Sequence, residues 1–345
     1  MEMNKGLHRF ALVVAGATFF LIVAGALVTS NAAGLATPDW PLTDGHFLPK
    51  IESLGMRTGV NMVGNLFWEH GHRMIATTVG LLTIGLVFYL YRGELRKWLQ
   101  PWLVRLGFNK RADVPYRGEQ RSWVRRLGMI ALIGVILQGL LGGLTVKLML
   151  PLWVSTAHAT LAQLFFCTTV SLAVFTSASW MREQPTIEER DGLSLRYVCI
   201  AASAAILVQL IIGGTLRHSA TWDQHLPTEL LLTHIGGAIV VTLLLGTASI
   251  LFMRRYPGVA FLTRPAKIAL SLLVLQLLLG VAAYITRLGS PNDPQPLNPM
   301  IAITVAHVAC GALVFATTIL LTLRTFKVLR APQIVLRPVA QPERV

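Results

Sequence analysis

Eight stretches of roughly 20 apolar residues dominate this chain and decide what it can fold into. They fall at residues 10–29, 70–91, 127–146, 152–176, 197–216, 230–253, 268–286 and 300–323. A helix needs about 20 such residues to cross the hydrocarbon core of a bilayer. Lipid offers a bare backbone no hydrogen bonds, so a spanning segment must satisfy its own peptide groups as a helix or join a closed barrel. Runs this long and continuous predict helices, and with them an all-α polytopic membrane protein. Composition agrees: 54% of the 345 residues are hydrophobic and 13% charged, where soluble domains carry about 25% charged residues. Cys167, Cys199 and Cys310 all lie inside apolar runs. That excludes a disulfide framework or a CxxC site and reads as small buried hydrophobes. The opening MEMNKGLHRF before an apolar run mimics a signal peptide, but the run is too long for one and reads as a retained first span.

The formal net charge of +14 would suit a nucleic-acid partner, but the placement of the charge argues otherwise. Of the 30 Lys and Arg residues, 24 fall in the N-terminus, the 92–126, 182–196 and 254–267 connections and the C-terminal tail. Only five (Lys50, Arg57, Lys147, Arg217, Arg287) fall in the alternate connections, and Arg73 sits at a helix start. Basic residues stay on the cytoplasmic side of a membrane, so both termini are expected in the cytoplasm of a bacterial-type cell. The surplus charge then serves topology and attraction to anionic lipid.

The odd-numbered spans end alike. LQGLLGG, LQLIIGG and LQLLLGV place Gln four residues before Gly, as Gln138/Gly142, Gln209/Gly213 and Gln276/Gly280. The first span keeps the glycine but has leucine for glutamine, Leu21/Gly25. Each even-numbered span carries a histidine near its outer start: His72, His158, His234 and His307. The pattern predicts a duplication, two four-helix bundles with parallel repeats. The first half takes 1–126 and 127–181, the second 182–325, and 326–345 is a cytoplasmic tail. Read plainly, each Gln is a helix–helix hydrogen bond and each Gly a point of close packing.

His8, His46, His218 and His225 fall in termini or loops by this reading and count as solvated, with His218 beside Arg217 a possible anion contact. The other four lie three to eight residues past the outer helix ends, about 5–12 Å deep. Ionisable groups inside a membrane default to a functional role. Imidazole suits Zn, Cu and Fe. A compact zinc site would gather three or four ligands, whereas pairing by halves points to two sites, His72 with His158 and His234 with His307. Facing helices of a bundle are a usual place for cofactor ligands. Small neighbours (Ala157, Ala159, Gly236, Gly237, Ala306, Ala309) leave a flat slot for a haem with axial histidines. Lys147, Arg217 and Arg287 could pair with haem propionates or simply snorkel at helix ends. A transporter using the histidines as a relay remains an alternative.

At this point the chain resembles the heme A synthase family, over about residues 8–325. The resemblance rests on EHGHR, with Glu69, His72 and Arg73 in the family's Glu-x-x-His-Arg pattern, on AHATLAQ, THIGGA and AHVACGAL around the other three histidines, and on the outer loop GLATPDWPLTDGHFLP. It implies eight helices in two halves and an oxidoreductase acting on a CH3 group. That enzyme turns the C8 methyl of haem O into a formyl group, by way of hydroxylated intermediates, for cytochrome oxidase biogenesis. It further implies haem O as substrate between His72 and His158, haem b as cofactor with its iron on His234 and His307, and haem O synthase with an unidentified electron acceptor as partners. Some members carry two cysteines in the outer loop. Here Thr37 and Thr43 stand in those places, which excludes a thiol–disulfide role for that loop. The competing reading is a two-haem b-type membrane electron-transfer protein.

Glu69 is the expected catalytic residue. Three residues before His72 it shares a helix face with it, where a carboxylate could stabilise developing positive charge on an oxidised methyl carbon or move a proton. The second half has no match at that spacing, since Glu229 lies five residues before His234. His70 points about 200° round the helix from His72. Arg73 is expected on a propionate or a neighbouring carboxylate, and Asp39 and Trp40 on the haem edge.

Overall fold

The computed structural model describes residues 4–37, 39–41, 64–106, 122–189, 192–222, 227–288 and 298–331. In chain order its helices are α1 (Lys5–Ser30), α2 (Asn65–Arg105), α3 (Ser122–Lys147), α4 (Leu152–Phe175), the one-turn α5 (Ala178–Met181), α6 (Leu195–Trp222), α7 (Thr228–Arg255), α8 (Ala260–Leu288) and α9 (Met300–Val328). Eight of them are long and apolar enough to cross a membrane, and the chain is a multi-pass membrane protein. The only strands among the described residues are β1 (Ile187–Glu188) and β2 (Leu329–Arg330), which pair in parallel. His46, Thr43 and His225 lie outside the described residues.

All the long helices except α4 run beyond the apolar stretches that predict them. Once nucleated, a helix propagates readily, and the Arg- and Lys-rich flanks are good helix formers. This corrects the reading of two histidines as terminus or loop residues. His8 lies in the first turns of α1, which is capped by the Asn4 side chain accepting from the Leu7 amide at 3.0 Å. Its Nδ1 lies 3.0 Å from the Ala173 carbonyl oxygen and joins α1 to the end of α4. His218 is a half-buried residue of α6.

The helix neighbours form two closed rings. In the first, α1 packs on α2, α2 on α3, α3 on α4 and α4 on α1; in the second, α6 packs on α7, α7 on α8, α8 on α9 and α9 on α6. The rings meet through α1 with α9, α4 with α6, and α4 with α9. Exchanging the two rings maps these contacts onto themselves. A core of Ile22, Phe166, Cys167, Ala202, Ile206, Cys310 and Phe315 fills the seam, and a second, built on Leu7, Val14, Val79, Leu86 and Leu172, fills the first ring. Apolar side chains gain little by leaving lipid for protein, so close packing must hold such a seam. The small Ala202, Ala312 and Ala316, all buried, permit it.

Tight connections set the register of paired helices. Between α3 and α4 the chain turns over Leu148–Pro151, with Met149 and Leu150 at positive φ (60° and 59°). The Leu150 amide closes the turn on the Thr145 carbonyl at 2.7 Å. The turn brings Gly142 of α3 opposite His158 of α4.

At the end of the bundle that carries the termini, Glu189 caps α6. One oxygen accepts from the Leu195 amide and from the Arg196 amide, and the other accepts from Ser194 Oγ at 2.8 Å and Arg196 Nε at 3.3 Å. The neighbouring β1–β2 pair ties this segment to the end of α9. Glu189 is buried, so Glu189→Ala strands these donors. It is expected to cost about 1–3 kcal/mol and to lower the thermal unfolding temperature of the detergent-purified protein.

Candidate functional site

Each of the four membrane histidines rests on a glycine of the preceding helix. A Cβ built on Gly25 would lie 3.1 Å from His72 Cε1, on Gly142 3.1 Å from His158 Cε1, on Gly213 2.8 Å from His234 Cε1 and on Gly280 3.2 Å from His307 Cε1. Only a bare backbone leaves the ring its place. The four helices begin at residues 65, 152, 228 and 300, so the histidines sit six or seven residues inside, about 9–10 Å down. Starting α2 at Asn65 brings His72 to the level of the other three.

The glutamines one turn before three of these glycines reach the same rings. Gln138 Nε2 lies 3.5 Å from His158 Nε2 and donates to the His158 carbonyl at 3.0 Å. Gln209 Nε2 lies 3.0 Å from His234 Nδ1 and donates to the His234 carbonyl at 2.7 Å. Gln276 Nε2 lies 3.1 Å from His307 Nε2. The plain expectation of a helix–helix hydrogen bond is met, and its partner is the histidine.

The rings of His234 and His307 have their centres 6.4 Å apart, with planes inclined at 67°. A metal–nitrogen bond of about 2.0–2.1 Å on each side, with each ring centre about 1.2 Å behind its nitrogen, gives a separation of about 6.4 Å. The distance between the ring centres is of that size. His72 and His158 lie close enough to interact electrostatically. Among the described residues no group of three or more His, Cys, Asp or Glu side chains gathers as a metal cage. Polar atoms are orphaned around the rings: Nδ1 of His72, His158 and His307, Oε1 of the three glutamines, and the Ser155 and Thr156 hydroxyls are buried without a hydrogen-bond partner. Buried polar groups are normally paired, so this cluster fits a bound group that supplies contacts.

Glu69 is buried and latches the outer loop to α2. Its Oε2 accepts from the Thr37 amide at 3.0 Å, and its Oε1 pairs with Arg73 Nη2 at 2.5 Å. Arg73 donates onward to the Asp39 carbonyl at 3.0 Å. The Arg73 guanidinium therefore meets a carboxylate, one of its two expected partners. Trp40 lies flat on α3, where a Cβ on Gly143 would come within 2.6 Å of its indole. The paired glycines Gly142 and Gly143 thus seat two rings, the imidazole of His158 and the indole of Trp40.

Of the other expected cations, Arg287 is buried, Arg217 donates to Ser30 Oγ at 2.9 Å, and the two lie within electrostatic range of each other. Lys147 is exposed at the end of α3. His70 is half-buried, and Glu229 stands in the first turn of α7. Nothing in the sequence marks the Thr37 amide as the partner of Glu69, because a backbone donor has no signature and lies 32 residues away.

A family model described as cytochrome oxidase assembly protein matches residues 58–222, which carry Glu69, Arg73, His72, His158 and also Gln138. That match spans a little under half of this chain. Among curated relatives, the "Heme A synthase" of Beijerinckia indica is 36% identical over 46% of this chain and 38% of its own length. Those of Shouchella clausii (23% identical, 82% of this chain, 88% of that protein) and Geobacillus kaustophilus (21% identical, 94% and 93%) match nearly end to end. The chain spans about two fifths of the length of the Beijerinckia indica protein and of two further relatives that it matches.

The latch makes a local prediction. Glu69→Ala leaves the Thr37 amide without its acceptor. A hydrogen bond to a charged group is worth about 1.5–3 kcal/mol, so hydrogen exchange at Thr37 is expected to quicken about tenfold or more. An unchanged rate would mean that the amide is held by something else.

Proposed function

We propose that this chain is a heme A synthase. It oxidises the C8 methyl of haem O to the formyl group of haem A, through hydroxylated intermediates, for cytochrome oxidase assembly. The observation that carries the reading is the set of four glycine-seated histidines at one depth, in two pairs, in a chain whose relatives bear that name. His72 and His158 take the substrate haem in an N-terminal half, 1–181. His234 and His307 take the iron of haem b in a C-terminal half, 182–325, and their 6.4 Å spacing supports this. Bound haem b supplies the one-electron redox chemistry that side chains cannot. As a methyl oxidation the reaction makes the protein an oxidoreductase, which needs an electron acceptor and a supply of haem O from a haem O synthase in the same membrane. The bias of Lys and Arg places both termini in the cytoplasm, in a bacterial-type cytoplasmic membrane.

The protein's part is to hold the ring and manage charge and protons. Glycine seats fix the imidazoles. Buried Arg287 and half-buried Arg217, at the outer end, suit the two propionates, with Lys147 and Arg73 as further candidates. Glu69 carries the catalytic role. Its carboxylate is held by Arg73 and the Thr37 amide one helical turn from His72, where it can stabilise positive charge on the reacting carbon or accept its proton. Thr37 and Thr43 hold no thiol, so electrons leave by another route than an outer-loop disulfide.

Haem extraction from the purified protein tests the reading. Made alone the chain should contain haem b; made together with haem O synthase it should also contain haem O and haem A. Glu69→Gln, which keeps size and hydrogen-bonding capacity, should lower haem A by about a hundredfold or more and leave haem b in place. A single haem type in fixed ratio under both conditions would instead identify a two-haem electron carrier.

A further inference from the structure

Three of the four seats have a second element that the fourth lacks. Gln138, Gln209 and Gln276 each present an amide to the imidazole of the next helix. Room is made for it in the second ring: a Cβ on Gly237 would lie 2.1 Å from Gln209 Oε1, and one on Gly311 3.2 Å from Gln276 Nε2. In α1 the same position, one turn before Gly25, is Leu21, a partly buried residue of the first ring's core. His72 Nδ1 has no hydrogen-bond partner among the described residues.

An imidazole that binds iron must offer a lone pair at one nitrogen, and when neutral it carries its proton on the other. Metal-bound histidines almost always donate that second N–H to an oxygen, which fixes tautomer and orientation and makes the ring a stronger ligand. The orphaned oxygen of each glutamine lies on the group that already faces the ring. Amide oxygen and nitrogen are nearly equivalent in shape, and their assignment follows from the hydrogen bonds they make. With Oε1 turned to the ring, glutamine accepts the N–H and its orphaned oxygen gains a partner; at His158 and His307 the nitrogen left over is the unpartnered Nδ1. Gln138 and Gln209 also donate to the carbonyls of His158 and His234; these carbonyls have ladder partners of their own, so the turned amide must swing off them as it takes the ring N–H, whereas among the described residues Gln276 has no such second contact to give up.

Resting on the haem reading above, we propose that Gln138, Gln209 and Gln276 are positioning residues that accept a ring N–H from His158, His234 and His307 and so present the opposite nitrogen to iron. His72, with Leu21 in place of a glutamine, is left as the weak, exchangeable ligand. The pair His234/His307 is then held from both sides, as a permanent cofactor requires. The pair His72/His158 is held from one side, as a substrate that must enter and leave requires. Leucine in α1 would thus be part of what separates the substrate site from its permanent duplicate.

Two sets of variants of the full-length, haem-loaded protein test this. By redox titration and electron paramagnetic resonance, Gln276→Leu should move the midpoint potential of haem b upward, because the ring loses its acceptor. Gln276→Glu should move it downward, because a carboxylate accepts more strongly. Haem b content of the Glu variant should be unchanged. Opposite signs are what a mere packing role would not produce; no shift, or shifts of the same sign, would overturn the assignment. Should the Leu variant lose its haem, the direction of the Glu shift decides alone. In the first half, Leu21→Gln should slow the transfer of haem O to apomyoglobin about tenfold, and an unchanged or faster transfer would overturn the exchangeable-ligand part. Wild-type protein without haem would sink the haem reading itself, an outcome distinct from haem-loaded variants that match the wild type.

Discussion

The contact on which the rest of this structure depends is that of an imidazole edge with a glycine backbone, made four times. A glycine with its Cβ position 2.8–3.2 Å from the Cε1 of a histidine on the next helix admits no larger residue without moving the ring. That closeness fixes how each pair of helices, α1 with α2, α3 with α4, α6 with α7 and α8 with α9, is set along and around its neighbour. In a membrane, where small residues rather than apolar burial bring helices together, this is a structural device as well as a functional one. The residues that bring the backbones close are those that shape the seats. Substitution at a seat would therefore disturb packing and ligand geometry together, whereas the glutamines can be altered with the seats intact.

The eight helices could be read from the sequence because lipid leaves the backbone so few options. The level of the histidines could be read because it is counted from the helix ends. The glycine frame was legible as close packing, but not what was packed against it, since that depends on helix rotation, which periodicity leaves free over continuous apolar runs. His8 and His218 were misplaced for a related reason: hydropathy marks where lipid begins, and helices α1 and α6 continue past that point into polar sequence. The Glu69 latch was hidden because its partner is a main-chain amide. Its ion pair with Arg73 was foreseeable from the four-residue spacing.

Among the described residues, Glu69 occupies a position with no counterpart in the second ring. In the first ring the acid joins α2 to the segment between α1 and α2, through the Thr37 amide and, by way of Arg73, the Asp39 carbonyl. Glu229 belongs to the opening turn of α7 and has a helix N-terminus for its environment. Among the described residues, the first ring thus has a carboxylate latch beside its histidine seat in α2 and lacks the glutamine that the other three seats have. Both differences lie around His72.

The equal depth of the four histidines has an energetic consequence. All four lie six or seven residues past the starts of their helices, so under the haem reading both pairs would sit at a similar depth in the membrane. Moving one charge across a bilayer involves about 2.3 kcal/mol for each 100 mV of transmembrane voltage. On the proposed haem reading, an electron passing between the pairs would travel sideways through that field and do no work against it. Such traffic would be insulated from the energisation of the cell.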